Sequence, residues 1–77
     1  MQDRVVGVNQ SIREVKKNNA KCVYIAEDAD KIVIEELEQM CKNMNIEIKY
    51  IDTMKKLGNM FKVQVKVAAA TILKGGE

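Results

Sequence analysis

The chain has 77 residues, no histidine, no proline, two cysteines and a formal net charge of +2. A chain of about 60 residues buries only ~60% of its unfolded surface, so this one has material for one domain, residues 1–77, and none for a second. Absence of histidine excludes a histidine general base, a Ser-His or Cys-His nucleophile and a histidine metal site, and no apolar run approaches the ~20 residues that cross a bilayer.

Arg4-Val5-Val6 is long enough only for a brief edge strand, and Gly7 permits a tight turn into a first helix. Asn9 is a favoured N-cap residue, and Ile12 and Val15 give a narrow apolar stripe to a helix predicted from Gln10 to Asn18. The opposite face carries Asn9, Gln10, Arg13, Lys16 and Lys17, and Asn18-Asn19 ends the helix, asparagine being the usual substitute for glycine in a left-handed turn. Cys22 to Ala26 is apolar without alternation, so both faces of this strand must be covered, and it is the central strand. Three carboxylates follow in four residues, Glu27, Asp28 and Asp30, and Asp28 or Asp30 can accept the orphan N–H groups of the next helix.

That helix is predicted over Lys31 to Asn43, with Val33, Leu37, Met40, Cys41 and Met44 as its apolar stripe and Asn45 as its stop. Ile46 to Tyr50 alternates apolar and polar, as expected of a strand nearer the sheet edge. Asp52 or Thr53 can cap a third helix with Met54 and Leu57 inward and Lys55 and Lys56 outward, and Gly58-Asn59 weakens it within two turns. Lys62 to Val67 alternates and Ala68 to Leu73 is small and apolar throughout, so either is a candidate for the last strand, and Lys74 to Glu77 reads as a frayed tail. The order β, α, β, α, β, α, β requires an α/β domain: a three-layer α/β/α sandwich around a mixed sheet of about four strands.

The net charge conceals a segregation. Residues 1–20 carry four basic and two acidic side chains, residues 21–45 three basic and six acidic, and residues 46–77 six basic and three acidic. If the two ends of the chain meet in space, one face is basic and another acidic, a footprint suited to a polyanion on one side. Glycines 7, 58, 75 and 76 make neither a phosphate loop nor a dinucleotide fingerprint, and the two cysteines fall at core positions and cannot build a zinc site. The remaining enzymatic idea, a magnesium site at Glu27, Asp28 and Asp30, competes with helix capping by the same residues, and capping is the simpler reading. No catalytic residue, metal or cofactor is expected. The N-terminus lacks a charged-then-apolar signal sequence, so a cytoplasmic location without disulfides is expected.

Four motifs stand in order along the chain: Gly7-Val8-Asn9-Gln10 opening a basic helix, Lys21 to Asp30 ending Ile-Ala-Glu-Asp-Ala-Asp, Lys55-Lys56-Leu57-Gly58, and Val67 to Leu73 with its triple alanine. Their order and spacing resemble the kink-turn RNA-binding ribosomal proteins, the archaeal protein L seven Ae and its eukaryotic relative L thirty e, from Val5 to about Leu73. The resemblance implies one RNA-binding edge made by the Gly7 turn, the start of the first helix and the loop before the last strand. It also assigns Lys62 to Val65 to that loop and roughly Lys66 to Leu73 to the strand. The implied RNA-binding residues are Gly7, Asn9, Gln10, Arg13, Lys16, Lys17, Val63, Gln64 and Val65. Short amides such as Asn9 and Gln10 can read guanine edges of sheared G·A pairs by paired donor and acceptor contacts. Arg13, Lys16 and Lys17 can track phosphate, Val63 and Val65 can cover a base turned out of the bulge, and Gln64 can bond its edge or a 2′-hydroxyl. Lys55 and Lys56 offer a secondary phosphate contact or a solvated helix face.

This chain departs from the family pattern at three places: many relatives have glutamate at Gln10, and glycine is usual at Asn18 and Lys62. The expected partner is RNA, a kink-turn in ribosomal RNA or an mRNA leader, with no DNA and no membrane, bound by a monomer. The alternative is a protein-interaction module on the same fold, docking through the acidic helix at Glu35, Glu36 and Glu38; an RNA-positioning domain of a larger modifying enzyme is a third possibility.

Overall fold

The computed structural model describes residues 3–74. The elements follow the expected order: β1 (Arg4–Val6), α1 (Val8–Lys16), β2 (Ala20–Ala26), α2 (Lys31–Asn43), β3 (Glu47–Ile51), α3 (Met54–Met60) and β4 (Ala69–Leu73). They build one mixed sheet of order β1-β4-β2-β3, with β2 parallel to β3 and β4 antiparallel to both β1 and β2. The expected frayed tail lies outside the described residues from Gly75 onward.

Handedness explains the layers. The β1-α1-β2 and β2-α2-β3 connections both step in the same direction across the sheet, so right-handed crossovers put α1 and α2 on one face, where they pack against each other. The chain then reverses direction to reach β4, which leaves α3 on the other face. There Phe61, just past α3, meets Tyr24 of β2 edge to face at 5.6 Å between ring centroids. The core therefore fills both sides of β2, with Val15, Val23, Ile25, Leu37 and Leu57 fully buried. This is the three-layer sandwich expected of an unalternated central strand.

Local chemistry sets the boundaries. Asp30 is the N-cap of α2 and accepts from Ile32 N–H at 2.9 Å, and the left-handed Asn45, at φ 58°, ends that helix. Thr53 caps α3 by accepting from Lys56 N–H at 3.0 Å. Asp28 does something the sequence does not reveal: its carboxylate accepts from Met54 N–H at 2.7 Å, so the turn after β2 also ties down the start of α3.

Three expectations require correction. Asn9 is not an N-cap: Gly7 holds that position, and α1 runs from Val8 to Lys16 rather than from Gln10 to Asn18. Ile34, not Val33, joins Leu37 and Cys41 on the buried face of α2, while Val33 and Met44 are exposed. Gly58 sits buried within α3, which ends two residues later at Met60, within the expected two turns. The last strand starts at Ala69, so Lys66 to Ala68 belong to the preceding loop.

Cys22 and Cys41 are buried free thiols, and burial pushes Cys41 up to about 11 and raises Cys22, which makes both poor nucleophiles. On β3, the Tyr50 hydroxyl donates to Glu38 Oε2 at 2.6 Å and locks the edge strand to α2. That bond raises the phenol from 10.0 to about 12, so its contribution to stability is complete below pH 10 and is lost as pH climbs towards 12. An ultraviolet difference titration of wild type against Tyr50→Phe should isolate a phenol with its midpoint near the upper value; an ordinary midpoint would mean that the bond is absent in solution.

Candidate nucleic-acid interface

Gly7 has φ 116° and ψ 154°, a conformation essentially confined to glycine, and it turns the chain from β1 straight into α1. In this turn Gly7 N–H donates to Ala69 C=O at 2.7 Å, while Val6 pairs with Ala70 in the adjoining ladder. The first turn of α1 is thereby fastened to the start of β4, the point at which the 62–68 loop enters the sheet. Ala26 N–H donates to Ala68 C=O at 2.9 Å from the other side, so the end of this loop is held between β1 and β2. Two pieces separated by more than fifty residues, the Gly7 turn and the end of the 62–68 loop, thus meet at one end of the sheet.

Asn9 and Gln10 are exposed on the first turn of α1. No side chain caps this helix, in contrast to α2 and α3, and no acidic residue occupies its first turn, so its N-terminal N–H groups and positive dipole end face outward. The Gln10 side chain folds back over the turn: a Cβ added at Gly7 would stand 2.6 Å from Gln10 Oε1. Asparagine is a poor helix former away from a cap, so helix stability does not explain Asn9.

Arg13, Lys16 and Lys17 continue from the rim towards the far end of α1, a rise of ~1.5 Å per residue. Arg13 and Lys16 have no ion-pair partner among the described residues, whereas Lys17 lies 4.0 Å from Glu14. Lys17 is the C-cap residue of α1.

The loop side is built by α3. Val63 N–H donates to Gly58 C=O at 3.0 Å and Val67 N–H to Met54 C=O at 3.2 Å, which straps the loop along the helix. Gly58 is required there because any Cβ would run into the Val65 carbonyl oxygen. Val63 is half-buried against the core, so it supports the loop, while Gln64 is exposed and Val65 projects with 68% of its surface open. Lys55, Asn59 and Lys66 join Val63, Gln64 and Val65 around an open groove of about 330 Å³. Of these, Lys66 is masked in the sequence by an alternating run, Lys62 to Val67, that reads equally well as a strand, and Asn59 by its place beside the helix-weakening Gly58. Lys56 instead faces Asp52 at 3.8 Å. Ile32, 84% exposed at the start of α2, is another surface residue that pattern alone did not mark.

Lys62 begins this loop in the left-handed region, at φ 59°, immediately after the α3 C-cap Phe61. A side chain there costs roughly 1–2 kcal/mol that glycine avoids, offset in part by the larger unfolded-state entropy of glycine. Lys62→Gly is therefore expected to stabilise the domain by about 0.5–1 kcal/mol, read as a rise in thermal midpoint; a lower midpoint would show that the lysine side chain makes a compensating contact.

Residues 2–77 match the profile of the ribosomal protein L7Ae/L30e/S12e/Gadd45 family. The chain belongs to that family. It is 41% identical to the RNA-binding protein YbxF of Geobacillus stearothermophilus over 70 residues, covering 91% of this chain and 85% of that one. An RNA-binding protein of Geobacillus sp. (strain WCH70) is 40% identical with the same coverage. The solved structure of a 15.5kD RNA binding protein of Giardia lamblia superposes with a TM-score of 0.87 at 30% identity, covering 95% of this chain and 62% of the other. The L7Ae fold thus accounts for the whole described sheet and its three helices.

Proposed function

We propose that this L7Ae-family chain is a non-catalytic, cytoplasmic RNA-binding protein that recognises a kink-turn or kink-turn-like RNA through the rim formed by Gly7, Asn9, Gln10, Val63, Gln64 and Val65. The observation that carries the reading is the Gly7 to Ala69 hydrogen bond, because it joins the amide-bearing helix start to the strand residue into which the valine-bearing loop runs. Relatives covering most of the chain are named RNA-binding proteins, which supports the partner class. Asn9 and Gln10 present amides to sheared G·A edges, and the exposed α1 N-terminus suits a nearby phosphate. Val65 offers an apolar surface to an extruded base. Arg13 and Lys16 follow the backbone of one stem, where two phosphate chains converge at a bend and cations are most needed. Ribosomal RNA and mRNA leaders are the candidate carriers of the element, and ribosome association follows from the first.

The test compares a kink-turn RNA with the same strands fully paired. Preferential binding of the bent RNA is expected, and equal affinity would reduce the protein to a nonspecific polycation. Asn9→Ala should lose about 1–3 kcal/mol of that preference without a fall in thermal midpoint, since Asn9 does not cap α1 and alanine is the better helix former. Lys16→Ala should weaken every RNA alike and lower the salt slope by roughly 0.7–0.9.

A further inference from the structure

The strand order leaves β3 at the edge of the sheet opposite β1, and none of the described residues pairs with its outer side. Ile51 C=O accepts from Glu27 N–H at 2.7 Å, so Ile51 directs its backbone groups inward to β2. Alternation then gives Glu47 and Lys49 the same inward orientation and leaves Ile48 and Tyr50 with N–H and C=O facing out. Ile46 contributes only its carbonyl, because its N–H is taken by Cys41 C=O at 2.8 Å. The side chains divide by the same parity. Lys49 lies over the Tyr24 ring on the α3 face, with Glu47 beside it, whereas Tyr50 bonds Glu38 on the α2 face, with Ile46 and Ile48 partly buried there.

We infer that β3 is a pairing edge for a second copy of this chain, joined antiparallel about a two-fold axis through Ile48. Outward-facing residues must oppose one another in such a ribbon, which restricts the register to centres one residue apart. Centring on Glu47 sets Glu47 against its own copy, and centring on Lys49 sets Lys49 against its own copy; both are repulsive. Centring on Tyr50 leaves Lys49 opposite Ile51. Only the Ile48 centre satisfies both faces. On one face Ile48 meets Ile48 and Tyr50 meets Ile46, continuing an apolar stripe, and on the other Glu47 meets Lys49 twice, at the non-hydrogen-bonded positions where side chains approach closest. Ile48 exchanges its N–H and C=O with its copy, and each Tyr50 N–H donates to the partner's Ile46 carbonyl.

Charged residues on a sheet edge usually discourage pairing. Here their alternation is self-complementary in one register, so the same two side chains select that register and reject its neighbours. A ribbon of this length buries less than a standard interface, so the dimer is weak and concentration-dependent, in place of the monomer expected from the sequence. It makes a continuous eight-stranded sheet with its two β1 strands ~34 Å apart, and antiparallel pairing turns the two rims to face opposite ways. The inference rests on the sheet edge alone and stands or falls independently of the RNA reading.

Sedimentation of the full chain over a dilution series reaching about 1 mM tests it, with amide exchange followed at both ends of the series. The wild type should dimerise with concentration, and the Ile48 and Tyr50 amides should gain protection as it does. Glu47→Lys and Lys49→Glu should each weaken the dimer roughly tenfold or more by turning both attractive pairs into repulsive ones, and the double exchange should restore it. A wild type that stays monomeric throughout, a dimer indifferent to either single exchange, or a double exchange that fails to restore association would each overturn the inference. All three variants alter exposed side chains, so their circular dichroism and thermal midpoints are expected to match the wild type closely enough to compare association directly.

Discussion

Gly58→Ala should lower stability although it places a better helix former in the middle of α3. Propensity alone favours alanine by about 1 kcal/mol. Against that, the new methyl group would overlap the Val65 carbonyl oxygen, and a backbone atom cannot swing aside as a side chain can. The loop must move as a unit, which strains or breaks the strap made by Val63 N–H to Gly58 and Val67 N–H to Met54, each bond contributing about 0.5–1.5 kcal/mol. A net loss of about 1–3 kcal/mol is expected, corresponding to a drop of roughly 4–8 °C in midpoint for each kcal/mol in a domain of this size. Preference for bent RNA should fall with it, because Gln64 and Val65 ride on the displaced segment. A thermal scan alongside the RNA comparison checks both parts. A raised midpoint would mean that the loop does not press on α3, and the proposed rim would lose its rigid support.

Gly7→Ala is expected to cost a similar amount for a different reason. The added Cβ would meet Gln10 Oε1, the end of a flexible side chain that can rotate away at little cost. The backbone cannot follow so easily: φ 116° with ψ 154° is a region that residues with a Cβ occupy only at a cost of about 1–3 kcal/mol. Backbone strain therefore outweighs the clash, and Gln10→Ala should not rescue the variant. Comparison of Gly7→Ala, Gln10→Ala and the double variant by denaturant unfolding decides the point. Full recovery in the double variant would assign the cost to the side chain instead. In either case the Gly7 to Ala69 bond is perturbed, so RNA discrimination should suffer more than stability alone explains.

Much of the architecture was legible from residue types whose effects are local. Asp30 and Asn45 bracket α2 because capping and the left-handed stop depend on neighbours a few residues away. The unalternated run from Cys22 to Ala26 declared a strand covered on both sides for equally simple reasons. What was misread depended on information that no short window contains. Ile32, Val33 and Ile34 are consecutive and apolar, so two helical phases fit, and only packing against α1 and the sheet selects Ile34. Asn9 resembles a cap until the unusual torsions of Gly7 begin the helix earlier. The 62–67 run alternates like a strand, yet the close approach of its backbone to Gly58 and the bonds back to α3 keep it a loop. The role of Asp28 at the start of α3 likewise spans 26 residues, beyond any capping rule. The candidate site was legible as residue types only through family resemblance. Lys17 beside Glu14 and Val63 against the core show that those residues differ in how freely they can meet a ligand.

During synthesis, the strand-helix-strand unit of β2, α2 and β3 is contiguous and can begin to assemble as it emerges. Val6 must instead wait for Ala70, and Gly7 for Ala69, near the other end of the described chain. Among the described elements, the rim is thus the last to form. A nascent chain has no finished rim until β4 has emerged and paired with β1.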